Sequence, residues 1–248
     1  MSEHVVLVTG ALTGIGRATA TAFGRDGASV VVSGRHDEEG EALAAELRTL
    51  GGKAEYLRAD VSIEDDVRSL IDATVETFGQ LDAAVNNAAH TNQLFGRLVT
   101  QTAEAYDATF NTNVRGLLFC LKHELGVMIE RGQGSIVNLS STYGERGVAG
   151  AGLYAASKHA VNGLTRSAAL EAATTGVRVN AVAPGPIATG MLARFTGPDS
   201  RASSAASVPM GRLGEVDEIA DVITFLSSHA ARFITGQIIA VNGGKTAL

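Results

Sequence analysis

Seven short runs rich in β-branched residues punctuate this chain, and most are apolar nearly throughout. They are VVLVT (5–9), SVVVS (29–33), AEYLRA (54–59), DAAVNN (82–87), SIVNLS (135–140), VRVNAV (177–182) and IIAVN (238–242). A strand with one wet face alternates apolar and polar residues, whereas a strand covered on both faces does not. Between the runs, helical spacing recurs at 15–24, 39–50, 63–78, 103–130, 153–173 and 215–228. Ser62 and Thr102 stand where helix N-caps are expected, with acids just beyond them. Strand and helix in alternation predict an α/β fold: a doubly wound, parallel, seven-stranded sheet with helices on both faces and right-handed crossovers.

Tandem repeats and Pro/Gly linkers are absent from the sequence, so residues 1–248 are read as a single domain. The stretch 190–212 is small, polar and interrupted, and is read as a substrate loop or lid. An apolar share of 45% against 19% charged is a globular composition. A net charge of −6 argues against a nucleic-acid or anionic-membrane surface, both of which need a basic footprint. The first residues lack the basic and apolar regions of a signal peptide, and the apolar runs fall short of the roughly 18 residues that a membrane span needs. Cys120 is the one cysteine and falls in an apolar helical pattern, so we expect a buried thiol and a cytoplasmic protein.

The first strand runs straight into TGALTGIG, which places Gly10, Gly14 and Gly16 before a helix. Glycines let the backbone turn sharply and approach a pyrophosphate, and the helix N-terminus offers free N–H groups and partial positive charge. At the end of the second strand, an acid would bind a ribose 2′-hydroxyl and repel a 2′-phosphate. Here Ser33 and Gly34 are followed by Arg35, whose fork can pair with phosphate, so NADP(H) is favoured over NAD(H). Asp37, Glu38 and Glu39 lie just beyond, where one of them could turn inward instead.

Taken in order, TGALTGIG (9–16), NNAA (86–89), the SS of NLSST, YAASK (154–158), PGPIAT (184–189) and VNGG (241–244) resemble the short-chain dehydrogenase/reductases of the short, single-domain Rossmann type. Among these, the likeness is to 3-oxoacyl-ACP reductase-like and glucose 1-dehydrogenase-like members. The resemblance implies four catalytic residues: Asn113, Ser141 (rather than Ser140), Tyr154 and Lys158. It implies cofactor contacts at Gly10, Leu12, Thr13, Gly14, Ile15 and Gly16, at Asp60 and Val61 near the adenine, at Asn87 near the inner ribose, and at Ile187 and Thr189 near the carboxamide. It also implies a homo-oligomer, commonly a tetramer. Two departures stand out. Ala89 replaces the usual glycine of NNAG, just before HTNQ, and Thr13 stands where many NADP-preferring relatives carry Arg, Lys or Ser.

Tyr154 and Lys158 lie four apart, hence on one helix face. The expected task is hydride transfer between a nicotinamide and a secondary alcohol or its ketone, with a proton moving on the oxygen. A tyrosine near pKa 10 needs about 4 kcal/mol of electrostatic bias to titrate near neutrality. Lys158 and an oxidised nicotinamide are the expected sources. On this reading Tyr154 is the acid/base, Lys158 tunes it and holds the ribose, Ser141 holds the substrate oxygen, and Asn113 anchors a water linking Lys158 to solvent.

His90, His123 and His159 do not cluster as metal ligands do. Met191, Leu192 and Phe195 either close over a substrate or pack the loop down, and Arg146 is read as solvated. A dinucleotide-binding regulator without turnover is the alternative on the same fold. A sugar-nucleotide epimerase is a third reading, disfavoured because the chain ends soon after its last strand. Sugars, steroids, cyclic alcohols and acyl-carrier thioesters all remain open as substrates.

Overall fold

A computed structural model of the chain describes residues 4–90, 96–192 and 201–247. Seven parallel strands form one sheet: β1 (Val5–Thr9), β2 (Ser29–Gly34), β3 (Ala54–Arg58), β4 (Ala83–Asn86), β5 (Gly134–Leu139), β6 (Val177–Pro184) and β7 (Ile238–Val241). Their order is β3-β2-β1-β4-β5-β6-β7. Each expected run holds a strand, with ends shifted by at most two residues. The helices are α1 (Gly14–Arg25), α2 (Asp37–Arg48), α3 (Glu64–Phe78), α4 (Ala103–Phe110), α5 (Leu117–Arg131), α6 (Gly152–Ala172), α7 (Arg201–Ala206) and α8 (Val216–Ser227).

The uniform apolarity of the strands has its cause in two cores. Successive strand side chains point to opposite faces. Val6, Val8, Val30, Val32, Val85 and Val137 bury one face of the sheet with Phe23 of α1, Leu43 of α2 and Ile223 of α8. Leu7, Val31, Ala84 and Ile136 bury the other with Leu70 of α3, Leu121 of α5 and Val161 of α6. Register matches the pattern: Val8 pairs with Val32 on one side and Val85 on the other, and Val85 pairs with Val137.

Local structure departs from expectation at three places. Ser62 is not the cap of α3; that position is Ile63, and the Ser62 hydroxyl instead donates to Asp60 Oδ1 at 2.7 Å. Thr102 does cap α4, accepting from the Ala105 N–H at 3.2 Å. The expected helix 103–130 is broken by a π turn at Asn111–Gly116. Buried Thr109, Asn113 and Leu117 follow one another at four-residue spacing, so periodicity carries no mark of the wider turn. Within 190–212, residues 193–200, Phe195 among them, lie outside the described residues, and 201–206 form α7. Among the described residues, no helix is long and apolar enough to cross a membrane.

Candidate active site

The connections leaving β1, β4, β5, β6 and β7 gather at the carboxyl edge of the sheet. β1 lies between β2 and β4, so the chain reverses its direction of strand addition there, and crevices that bind ligands open at such points.

The turn after β1 has the stereochemistry of a phosphate cradle. Gly10 and Gly14 sit at φ +60° and +56°, a region closed to most side chains. A Cβ on Gly16 would stand 2.3 Å from the Gly10 carbonyl oxygen. Thr13 at the α1 N-cap makes no capping hydrogen bond, and the first turn of α1 holds no acid, whereas α2 and α3 each carry three. This helix start therefore keeps its N–H groups and positive end for an anion. Asn87, following β4, donates to the Gly10 carbonyl at 2.8 Å and braces the turn. Leu12 is buried, and a Cβ on Gly34 would collide with it at 2.7 Å, so the Leu12 side chain belongs to the core. Ile15, Asn87, Ile187 and Thr189 line the cleft, and Thr189 faces Gly14 at 3.6 Å from where a Cβ would stand. These residues fit a dinucleotide.

Tyr154 and Lys158 sit one turn apart on α6, both buried. Lys158 Nζ lies 5.6 Å from the centre of the Tyr154 ring and donates to the Leu139 carbonyl at 2.6 Å. Ser141, just past β5, hydrogen-bonds the Tyr154 hydroxyl. Its own oxygen accepts from the Tyr143 N–H at 3.1 Å. Ser140 turns the other way, donating to Asn162 Oδ1 at 2.6 Å inside the protein. The Tyr143 ring stands edge-on to Tyr154, with centroids 6.1 Å apart. Together Ser141, Tyr143, Tyr154, Lys158 and Ala89 line a cleft of about 240 Å³.

Burial dominates the electrostatics here. Desolvation pushes the Tyr154 phenol up to about 12, with the Ser141 hydrogen bond acting against it. Desolvation also pushes Lys158 down to about 8. The expected lowering of Tyr154 is thus not supplied by the protein's own groups.

Asn113 lies in the π turn, 3% exposed. Its Oδ1 accepts from the His90 N–H at 2.7 Å, and its Nδ2 donates to Ser157 Oγ at 3.2 Å. Protein partners therefore occupy the side chain. Asn113, Lys158, Val61 and Asn86 line a small, partly open pocket of about 10 Å³, the scale of one water.

At the far end of the crevice, Arg35 is exposed and lies 3.4 Å from Asp60. Burial works to raise the Asp60 carboxyl, but hydrogen bonds from Ser62 and the charge of Arg35 hold it below its ordinary value. Asp37 accepts from the Tyr56 hydroxyl at 3.0 Å and from Arg58 at 3.2 Å, so it is directed to those two groups. Arg58 also donates to the Arg35 carbonyl at 2.7 Å. Sequence reading missed Arg58, which looks like an ordinary exposed strand residue. It also missed Lys245 in the cleft wall, although its place directly after VNGG, at the carboxyl edge of the sheet, is a signal that was available. Residues 91–95, which include most of HTNQ, lie outside the described residues.

A family model described as enoyl-(acyl carrier protein) reductase matches residues 10–246. The 2,5-dichloro-2,5-cyclohexadiene-1,4-diol dehydrogenase of Sphingobium indicum is 42% identical, over 100% of this chain and 99% of its own. The cis-4-hydroxycyclohexanecarboxylate dehydrogenase of Sinomonas cyclohexanicum is also 42% identical, over 100% and 98%. Among solved structures, a variant of actinorhodin polyketide ketoreductase with NADPH superimposes with a TM-score of 0.94 at 36% identity, covering 99% of this chain and 98% of that one.

Proposed function

The chain belongs to the short-chain dehydrogenase/reductase family and is an oxidoreductase of CH–OH groups, and on that premise we propose that it interconverts a small secondary alcohol and its ketone with NADP(H), using Asn113, Ser141, Tyr154 and Lys158. The observation that carries the reading is the convergence of the Ser141 and Tyr154 hydroxyls with the Lys158 ammonium in one cleft that opens beside the glycine turn. When bound, the nicotinamide supplies the ring that gives or takes the hydride.

The chain's own residues do the rest. Ser141 donates to the substrate oxygen and stabilises the charge that develops there. Tyr154 delivers a proton to that oxygen in reduction and removes one in oxidation. Lys158, tethered by the Leu139 carbonyl, keeps its charge close to the phenol and holds the cofactor ribose. Asn113 fixes the π turn against His90 and Ser157, which shapes the water-sized space beside Lys158. Met191 and Leu192 line the cleft, in keeping with a lid at 190–212.

Support for NADP(H) comes from Arg35, exposed just after β2 and beside Asp60, while Asp37 is engaged by Tyr56 and Arg58. The Arg35–Asp60 pair is no obstacle: an exposed ion pair is worth about 0–1 kcal/mol, and a phosphate offers Arg35 a stronger partner. Two close relatives act on ring alcohols, so six-membered cyclic alcohols and ketones are the substrates we propose first. A homotetramer in the cytoplasm completes the reading. Exposed Phe233 and Leu170 support self-association, which light scattering tests.

The deciding experiment is cofactor oxidation with a panel of cyclic ketones, comparing NADPH with NADH. Turnover with NADPH preferred is expected. In Arg35→Ser, KM for NADPH should rise about ten-fold or more with KM for NADH unchanged. Cofactor binding without turnover of any ketone would favour the regulator instead.

A further inference from the structure

The cleft that holds Tyr154 also holds a cation with no assigned task. Lys245 follows the last strand and lines the same cleft as Ser141, Tyr143 and Tyr154. It is half-buried, and its Nζ donates to Ser207 Oγ at 2.5 Å, with the Ser207 carbonyl at 3.4 Å. A second cation, the exposed Arg146, lies close enough to be felt electrostatically, three residues beyond Tyr143. Among the described residues, no carboxylate forms an ion pair with either, and the adjacent Glu145 is exposed without pairing to them. Partial burial first, and then Arg146, hold the Lys245 ammonium below its ordinary value. A cleft-wall ammonium that has no carboxylate partner among the described residues and feels a second cation, in a chain of net charge −6, is an uncompensated feature that an anion would relieve.

We propose that Lys245 binds an anionic group on the substrate, so that the preferred substrate is a cyclic alcohol or ketone carrying a carboxylate remote from the reacting carbon. The Ser207 hydroxyl and carbonyl hold the ammonium in place, and Ser207 follows α7 directly. Lys245 is a specificity-determining residue on this account; the proton and hydride chemistry belongs to the groups described above. The proposal deepens the reading of the chain as a ketone and alcohol oxidoreductase and rests on it.

The test pairs 4-oxocyclohexanecarboxylate with its methyl ester, which has nearly the same shape but no charge, using NADPH and the intact chain. Wild type should favour the acid over the ester about ten-fold or more in kcat/KM, the scale of one hydrogen bond to a charged group. Lys245→Met should remove that preference, mostly through KM, by lowering kcat/KM for the acid about ten-fold more than for the ester. Lys245→Arg should retain much of the preference. Calorimetry with cyclohexanecarboxylate gives a readout independent of turnover, and binding should weaken at least as much in Lys245→Met. An acid/ester ratio that Lys245→Met leaves unchanged overturns the proposal, and so does a variant whose loss falls on NADPH affinity. Turnover of neither ketone, with NADPH bound normally, instead removes the cyclic-ketone reading on which the proposal stands.

Discussion

Neighbouring residues with the same side chain have opposite tasks here. Ser140 and Ser141 are chemically equal, yet Ser140 points inward to Asn162 while Ser141 meets Tyr154 in the cleft. Ser141→Ala should therefore lower kcat about 100-fold or more with little change in melting temperature. Ser140→Ala leaves the Asn162 carbonyl oxygen without that donor and should cost about 1–3 kcal/mol of stability with catalysis largely kept. Activity assays and thermal melts on the two variants check both, and interchanged phenotypes would contradict the assignment. The motif that distinguished the two serines in the sequence was their distance to Tyr154. The direction of each side chain, set by the end of β5, was not legible. Nor was the balance at Tyr154. The pairing with Lys158 was legible, but the degree of burial was not, and burial pushes the phenol up to about 12. From the protein's own groups Tyr154 is thus an acid, suited to protonating a ketone oxygen. Alcohol oxidation requires the added positive charge of an oxidised nicotinamide.

Among the elements, α5 carries a charge problem that periodicity concealed. Glu124 occupies an apolar position of the helix, fully buried, where its Oε2 accepts from Asn86 Nδ2 of β4 at 2.9 Å. Asn86 also donates to Asn138 of β5, so the carboxyl touches the polar seam that supports the active-site edge. Desolvation raises Glu124 to about 7, with the Asn86 hydrogen bond opposing. The folded value lies above the unfolded one near 4.3, so the folded chain holds this proton more tightly. The resulting stability is complete below about pH 4.3 and is lost as pH rises toward 7. The difference amounts to about 4 kcal/mol. Glu124→Gln keeps an oxygen for Asn86 and carries no charge. It should match wild type near pH 4.5 and melt at higher temperature above pH 7. Parallel melting curves at the two pH values check this, and an unchanged pH dependence would contradict it. Strand positions were legible because burial on both faces leaves no alternation to misread. The π turn was not, because its side-chain spacing continues that of the flanking helices.

For the whole molecule, strand order decides what the residues can do together. Motifs scattered from position 9 to position 245 meet because every strand of the sheet runs the same way, so their following loops share one edge. The likeness of spaced motifs carried that arrangement from the sequence. Contacts between distant segments, such as Lys245 with Ser207 or Asp37 with Arg58, arise only when the sheet is assembled, and no local pattern announces them. The claim on which the account depends is that Tyr154 passes the substrate proton. Its most direct measurement is kcat of Tyr154→Phe alongside the NADPH dissociation constant. The account predicts turnover reduced about 1000-fold or more with affinity within about two-fold of wild type. Turnover near the wild-type rate, with the cofactor bound normally, would contradict it.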